Sequence, residues 1–155
     1  IGINNVIDGQ EFNVILSILK DRKGRLWLGT ENGGLIVLDQ KMKLMNHFTH
    51  DPQKDHGLRS NSIWSLYEDK VGNIWIGTFN KGLVKLDPND TKFIHHKQNP
   101  YNPKSLSHNT VSCFAEDAQQ NIWIGTDGGG LNYWNPETDD YIHYKTWLKR
   151  HFIFC

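Results

Sequence analysis

A four-residue motif, tryptophan followed by an aliphatic residue, glycine and threonine, occurs three times in this chain at constant spacing. The copies begin at Trp27, Trp75 and Trp123, so the interval between successive tryptophans is the same and no insertion separates the copies. A fixed period of this kind, here 48, predicts one supersecondary unit repeated three times. The identities that recur in register are Asn13, Asn61 and Asn109; Asp21, Asp69 and Asp117; Gly29, Gly77 and Gly125; Thr30, Thr78 and Thr126; Gly34, Gly82 and Gly130; Leu35, Leu83 and Leu131; and His47, His95 and His143.

Each unit is predicted to contain four short strands separated by turns, because no helical stripe of apolar residues persists along a unit. The second strand contains the motif, and its apolar run predicts a strand that is covered on both faces. The fourth strand mixes polar and apolar residues, which is typical of an outer strand facing water. The first strand carries a small residue in every unit, which predicts close approach of a neighbouring backbone: Ser17, Ser65 and Cys113.

The turn before the motif has the form Asp-x-x-Gly in the first two units. Aspartate bonds nearby backbone N–H groups in such a turn, and glycine supplies a positive φ. The third unit has Gln120 in place of the glycine. The sequence therefore predicts either a strained turn or a shift of the positive φ to Asn121.

The predicted fold is all-β, with three four-stranded antiparallel blades of a β-propeller. We predict a single propeller fragment over residues 1–155, with blades at about 13–50, 61–98 and 109–145. Polar connections separate the blades. The last residues, 146–155, do not follow the repeat, and they are either an unrelated ending or a short strand that covers an open edge.

The repeated pattern Asp-x-x-Gly-x-[Ile/Leu]-Trp-[Ile/Leu]-Gly-Thr, followed by a Gly-Gly-Leu-like turn, resembles the two-component regulator propeller repeat of bacterial hybrid two-component regulators. The resemblance covers nearly the whole chain, residues 13–145. It implies a periplasmic sensor segment of a signal-transduction protein, with an oligosaccharide as ligand and any kinase activity outside this chain. The alternative is a structural or interaction scaffold that binds a protein partner or itself and no small molecule.

Three blades do not close a propeller, which typically has four to eight blades. The outward faces of the first and third units would then expose apolar surface, which is unusual for a stable monomer. Further blades of a longer parent protein would solve this problem, and so would association between chains. For the chain as it stands we predict a homo-oligomer, in which two copies supply six blades.

Composition and motifs argue against several classes of function. Seventeen basic and seventeen acidic residues leave no net charge, which argues against a nucleic-acid partner. No apolar run of about 18 residues would span a membrane. The recurring histidines belong to different units and fan apart, so we interpret them as outer-strand hydrogen-bonding residues and predict no metal. No nucleophile or phosphate-loop motif is present, so we predict no catalytic residue, no cofactor and no enzymatic activity.

Ligand contacts are expected where the units differ, because the common positions are used for packing. On the first strand, Trp64 occupies the position of Leu16 and Ser112 in the other units. Tyr67 occupies the position of Leu19 and Ala115. Aromatic faces stack on sugar rings, although packing is the alternative role. Three residues from the connections are candidates on the same reasoning, with a solvated loop as the alternative. The predicted ligand-facing residues are Trp64, Tyr67, Arg59, Tyr101 and His108.

Overall fold

The computed structural model describes residues 6–7, 10–11, 14–54, 57–87, 89 and 92–145. Within these ranges the chain forms strands and turns and no helix. A short pair, β1 (Val6–Ile7) and β2 (Gln10–Glu11), precedes three four-stranded antiparallel sheets. The predicted all-β fold of three propeller blades is confirmed. The expected start of the first blade at Asn13 and the tail 146–155 lie outside the described residues.

Each sheet is a meander, because its strands are ordered in space as they are in sequence. The first blade consists of β3 (Ile15–Lys20), β4 (Leu26–Thr30), β5 (Leu35–Leu38) and β6 (Leu44–Phe48). The second consists of β7 (Ile63–Glu68), β8 (Ile74–Thr78), β9 (Leu83–Asp87) and β10 (Lys92–His96). The third consists of β11 (Val111–Glu116), β12 (Ile122–Thr126), β13 (Gly130–Asn135) and β14 (Asp140–Tyr144).

Neighbouring blades meet at their first strands. Strands β3 and β4 pack on β7, and strands β7 and β8 pack on β11. The first strand of each blade is therefore the inner one, and β6, β10 and β14 form the outer edges. This placement confirms the interpretation of the fourth strand as an outer strand. We call the interface between two neighbouring blades a seam, so the described blades form a first seam and a second seam.

The motif strand is covered on both faces where a blade has neighbours on both sides. All five residues of β8, in the middle blade, are buried. Strands β4 and β12 alternate between buried and half-buried positions, because each belongs to a blade with only one neighbour among the described blades. The prediction of a doubly covered strand is thus confirmed for the middle blade, and the end blades show what a further neighbour would cover.

Each seam contains the motif tryptophan of the preceding blade. Trp27 lies in a buried cluster with Ile63 and Ile74 of the second blade. Trp75 lies in the corresponding cluster with residues of the third blade, and its ring centroid is 4.8 Å from that of Trp134. Trp123 belongs to the last described blade and is only half-buried. The recurrent indole therefore supplies much of the apolar area of each seam.

The small residue of the first strand lies where two backbones approach across a seam. The Ser65 hydroxyl donates a hydrogen bond to the Val111 carbonyl at 3.2 Å, and Ser17 donates to the Ile63 carbonyl at 3.4 Å. A larger side chain would push the inner strands apart. The predicted close approach of a neighbouring backbone is confirmed at both seams.

A basic side chain spans each seam on the side of the Asp-x-x-Gly turns. The Arg22 guanidinium donates to the Asp69 and Lys70 carbonyls at 2.5 and 2.6 Å, and Lys70 Nζ donates to the Asp117 carbonyl at 2.8 Å. The side chains of Glu68 and Glu116 accept hydrogen bonds from the backbone N–H groups of Arg22 and Lys70. Both seams therefore use the same cross-blade contact.

The polar connections between blades each contain one buried aliphatic residue that the sequence analysis missed. Leu58 and Leu106 are almost fully buried and belong to the clusters of the first and second seam. They occupy equivalent positions of successive repeats, so the repeat offered a signal that was hidden by the polar composition around them. The connections are therefore anchored into the core rather than purely solvated.

The turn of the third blade keeps its positive φ at Gln120, where φ is 67°. The Gln120 N–H donates to the Asp117 carbonyl at 3.1 Å, and the Asn121 N–H donates to the Asp117 carboxylate at 2.9 Å. The turn thus has the geometry of the other two without their glycine. The strained alternative is confirmed, and the positive φ does not shift to Asn121.

A histidine, His96, is buried in the second seam. The His96 ring stacks against Trp75 with centroids 6.2 Å apart and meets the edges of Trp134 and Tyr141. Burial lowers the pKa of His96 from its ordinary value, and this effect outweighs the carboxylate of Asp139, which raises the pKa. The neighbouring Lys85 and His95 lower the pKa further. The folded chain therefore favours the neutral ring.

We predict that acid weakens the fold through His96. The unfolded chain takes up a proton near pH 6.5 while the folded chain resists it, so the free energy of unfolding should fall as pH drops from 6.5 towards the lowered pKa. Phenylalanine occupies the equivalent position in the first blade, as Phe48. His96→Phe should therefore reduce the difference between urea midpoints measured above and below this pH. An equal difference in the variant would contradict the prediction.

Candidate functional site

The repeated motif forms a structural unit in which aspartate holds the indole. The Trp75 Nε1–H donates to the Asp69 carboxylate at 2.8 Å, and the Asn73 N–H donates to the same carboxylate at 2.8 Å. The same indole bond joins Trp27 to Asp21 and Trp123 to Asp117. Sequence reasoning assigned these aspartates to turns and missed the indole bond, although the constant spacing between aspartate and tryptophan was the available signal.

The charge of two motif aspartates, Asp21 and Asp117, is stabilised by hydrogen bonds. Burial raises the pKa of Asp21, but hydrogen bonds from Trp27 and Arg25 outweigh burial and hold the pKa below its ordinary value. At Asp117, desolvation also raises the pKa and is outweighed by hydrogen bonds from Asn121 and Trp123, so that this pKa is lowered as well. These carboxylates therefore hold the turn and the indole together as charged groups.

The inner strand of every blade contains a β-bulge at the same place. The register of pairing shifts between Ile63 and Ser65 in the second blade, so Trp64 is the extra residue. The first and third blades have the same shift, with Leu16 and Ser112 as the extra residues. Bulges re-aim a side chain and are common next to functional sites. The bulge residue therefore has no partner in the hydrogen-bonded ladder of its blade, and its identity differs in all three blades.

Trp64 lies beside a second aromatic residue that sequence reasoning missed. The ring centroids of Trp64 and Phe79 are 5.1 Å apart, with a tilt of 35° between the planes. Trp64 is half-buried, and Phe79 is 45% exposed. Phe79 directly follows the motif of the second blade, where the other blades have Glu31 and Asp127. That departure from the repeat was the signal that could have identified it.

Tyr67 lies in the second seam. Its hydroxyl donates to the Glu116 carboxylate at 3.2 Å, and its ring packs against the buried cluster around Trp75. Burial and the negative charge of Glu116 raise the pKa of Tyr67. The structure thus gives this side chain a role in joining the second blade to the third.

The three candidates from the connections have different surroundings. Tyr101 is almost fully exposed in the connection that follows the outer strand β10. Arg59 is half-buried next to the anchor residue Leu58. His108 is also half-buried, and its Nδ1 accepts a hydrogen bond from the Thr110 N–H at 3.2 Å. Trp64 is on an inner strand, whereas Tyr101 belongs to the segment between an outer edge and the next blade.

Two of the recurring histidines donate to carbonyl groups. His47 Nε2 donates to the Gly33 carbonyl at 2.7 Å, and His143 Nε2 donates to the Ser105 carbonyl at 2.6 Å. These contacts agree with the interpretation of these residues as outer-strand hydrogen-bonding groups. Among the described residues, no group of three or more His, Cys, Asp or Glu side chains is arranged to hold a metal ion. The described residues also include no helix long and apolar enough to cross a bilayer.

The three repeats match the family model for the two-component regulator propeller, at residues 9–32, 57–80 and 105–128. Each match ends just beyond the Trp-x-Gly-Thr motif and so includes the indole, the aspartate and the bulge described above. The chain contains three repeats of the two-component regulator propeller family. The resemblance that was inferred from the sequence is confirmed.

Solved structures with the same architecture include an extracellular domain. The extracellular domain of a putative hybrid two-component system from B. thetaiotaomicron is 29% identical, with a TM-score of 0.78, and the match covers 85% of this chain and 18% of that one. This propeller chain therefore spans less than a fifth of that relative. No protein of curated function matches the chain.

Two more distant structures show the fold alone. The virginiamycin B lyase of Staphylococcus aureus is 13% identical, with a TM-score of 0.67, over 90% of this chain and 44% of the lyase. PorZ, a surface component of the type-IX secretion system of Porphyromonas gingivalis, is 18% identical, with a TM-score of 0.62, over 79% of this chain and 18% of PorZ.

Proposed function

We propose that this chain is a ligand-sensing propeller segment of a two-component signal-transduction regulator, located in the periplasm, and that its ligand is an oligosaccharide. The three repeats that match the family model, and the similarity to an extracellular domain of a putative hybrid two-component system, support a sensor-like propeller. In this proposal the chain recognises the ligand and carries no catalytic step, and signalling chemistry belongs to other parts of a longer protein.

The observation that carries the proposal is the pattern of variation on the inner strands. Positions common to the blades are occupied by packing, as for Trp75, or by cross-blade hydrogen bonds, as for Ser65. The residue at the bulge differs between the blades, and in the second blade it is Trp64. A large aromatic residue at an unpaired, half-buried position offers a ring face to a ligand.

A panel of oligosaccharides titrated by calorimetry tests this proposal. We expect heat of binding and a higher thermal midpoint with at least one glycan, because a ligand that binds only the folded chain stabilises it. Circular dichroism of the same sample checks that the chain is folded. A folded chain that gives neither heat nor stabilisation with any glycan of the panel would refute the assignment.

A second role, assembly through the open ends, is favoured by a specific contrast between the blades. Ile63 is completely buried against Gly29 and Ser17 of the first blade, whereas its counterpart Ile15 is 42% exposed. Gly125 is the counterpart of Gly29 on the third blade, and no described residue of another blade lies against it. The two ends are therefore complementary halves of one more seam. We propose that another blade, from a second copy of this chain or from further repeats of a longer parent, covers them.

The ends lack the basic contact that both seams use. Lys20 stands in place of Glu68, and Ala118 stands in place of Lys70. A junction between two copies would therefore depend on apolar packing and would be weaker than the seams within the chain. A scaffold that binds itself or a protein partner, and no small molecule, is the function that this packing alone would support.

For the isolated chain we predict a dimer that Ile15→Asp shifts towards monomer, because the substitution places a charge at the apolar contact. Mass in solution, measured by light scattering over a range of concentrations, reports the shift. Ile94→Asp is the matched control, since Ile94 is also 42% exposed but lies on the outer strand β10. An equal effect of both substitutions, or a wild-type monomer at all concentrations, would contradict assembly between copies.

A further inference from the structure

The end of the second motif strand holds an aromatic ring next to the bulge. The Phe79 N–H donates to the Ser62 carbonyl at 3.2 Å, which fixes the residue after the motif against the residue that precedes the inner strand. Trp64 follows two positions later, and the two rings lie 5.1 Å apart. Backbone pairing therefore positions both rings, and Phe79 keeps almost half of its surface in contact with solvent.

The fold does not require an aromatic residue at this place. The first and third blades have the exposed carboxylates Glu31 and Asp127 at the position of Phe79. A position that accepts an exposed charge in two blades is not a packing position. The second blade thus exposes a large apolar ring where its neighbours expose charges, and such an exposed apolar patch indicates a contact surface.

The loops next to the aromatic pair carry polar residues. The Ser62 hydroxyl donates to the Glu31 carbonyl and lies 3.4 Å from the Asn32 Oδ1, so the loop of the first blade is tied to the strand that carries Trp64. Glu31 is exposed, so its carboxylate is open to solvent on this loop. Lys81, two residues after Phe79, is exposed and is the basic residue of the same loop. An exposed aromatic pair with polar side chains in the adjoining loops suits a ligand ring that has apolar faces and polar groups around its edge.

We propose that Trp64 and Phe79 form a subsite for one uncharged sugar ring of the ligand, with Glu31 accepting hydrogen bonds from its hydroxyl groups. A pyranose ring presents C–H groups on its face and hydroxyl groups around its edge, which matches this arrangement. The exposed carboxylate of Glu31 in the adjoining loop disfavours a uronic acid or sulfated ring at this subsite. This subsite rests on the proposed function, because it identifies the part of the ligand that the second blade recognises.

The test uses the full chain and three arms of defined oligosaccharides: neutral hexose oligomers, amino-sugar oligomers with free amino groups, and uronic-acid oligomers. We expect a neutral oligomer to bind and to change the tryptophan fluorescence. Phe79→Asp, which copies the residue of the third blade, should weaken that binding roughly tenfold, since an aromatic stacking contact is worth about one factor of ten. Because the fold accepts aspartate at this position, the urea midpoint should stay unchanged.

The matched control is Tyr144→Asp. Tyr144 is 47% exposed and tilts at 34° against Trp123, with ring centroids 5.6 Å apart, so its surroundings resemble those of Phe79 on a different surface. The control should bind as the wild type does. Equal binding by Phe79→Asp and the wild type would overturn the subsite and leave the sensor function standing. Preferential binding of amino-sugar or uronic-acid oligomers would overturn the choice of an uncharged ring, and a wild type that binds no arm would overturn both proposals.

Discussion

Trp75→Ala should lower the free energy of unfolding by about 3–5 kcal/mol, the range for loss of a fully buried aromatic side chain. The indole is completely buried, and it packs against Trp134 and Phe114 of the third blade. The Lys85 ammonium group lies over both rings, because its Nζ is 5.5 Å from the Trp75 ring centroid and 4.9 Å from the Trp134 ring centroid. Alanine would leave a cavity in the second seam and an aspartate without its indole donor.

The same substitution at Trp123 separates packing in the seam from the motif itself. Trp123 makes the same hydrogen bond to its aspartate, at 3.1 Å, but it is half-buried and packs on Tyr133 and Tyr144 of its own blade. We expect Trp123→Ala to cost about 1–2 kcal/mol. Urea unfolding followed by circular dichroism measures both variants. Equal losses would mean that the seam adds nothing to the contribution of the indole.

Gly77→Ala is the second substitution with a large effect, and it should cost about 1–3 kcal/mol through overpacking. A Cβ at Gly77 would overlap the Ser65 hydroxyl and would lie 2.8 Å from Val111 Cγ1 and 2.9 Å from the Val111 carbonyl oxygen. The serine can rotate away, but the carbonyl belongs to the inner strand of the next blade. The added methyl group would therefore separate the second and third blades.

Gly125→Ala is the control for the glycine of the motif. A Cβ there would meet the Cys113 sulfur at 2.5 Å and the Cys113 carbonyl oxygen at 3.9 Å, and no described atom of another blade lies within reach. The sulfur must shift to make room, but no carbonyl of another blade is crowded, so we expect a smaller loss than at Gly77. The urea unfolding midpoints of Gly77→Ala and Gly125→Ala measure the two losses of stability. Similar losses at Gly77 and Gly125 would show that the glycine serves its own strand rather than the seam.

The seams explain why function should be sought in the differences between the blades. Tryptophan, glycine, the small inner residue and its acceptor carbonyl are all engaged at each seam, as shown for Trp75, Gly77 and Ser65. Their shared geometry holds neighbouring blades in one register. What remains open to variation is the bulge residue and the residue after the motif, and these are Trp64 and Phe79 in the second blade.

The constant period of the motif determined the blade architecture from the sequence alone, because strand propensity, turn residues and the motif recur together and each blade folds mainly through local hairpins. The same periodicity predicted the outer strand and the small residue at the inner strand. The departure from it at Gln120 identified an irregular turn, and the structure decided between strain at Gln120 and a shift of the positive φ to Asn121. These features depend on neighbours within a blade or on a contact that is repeated identically at each seam.

Only the tertiary structure decided which side chains meet across loops and seams. Leu58 belongs to a polar connection, and it is buried because it packs in the cluster of the first seam. Tyr67 differs between the blades as Trp64 does, yet the fold directs it to Glu116 in the second seam. Phe79 reaches Trp64 because hairpin pairing and the bulge bring two separate positions of the second blade to one surface. Periodicity reports which positions are equivalent, whereas contact between unlike positions depends on the register and direction that the packed blades impose.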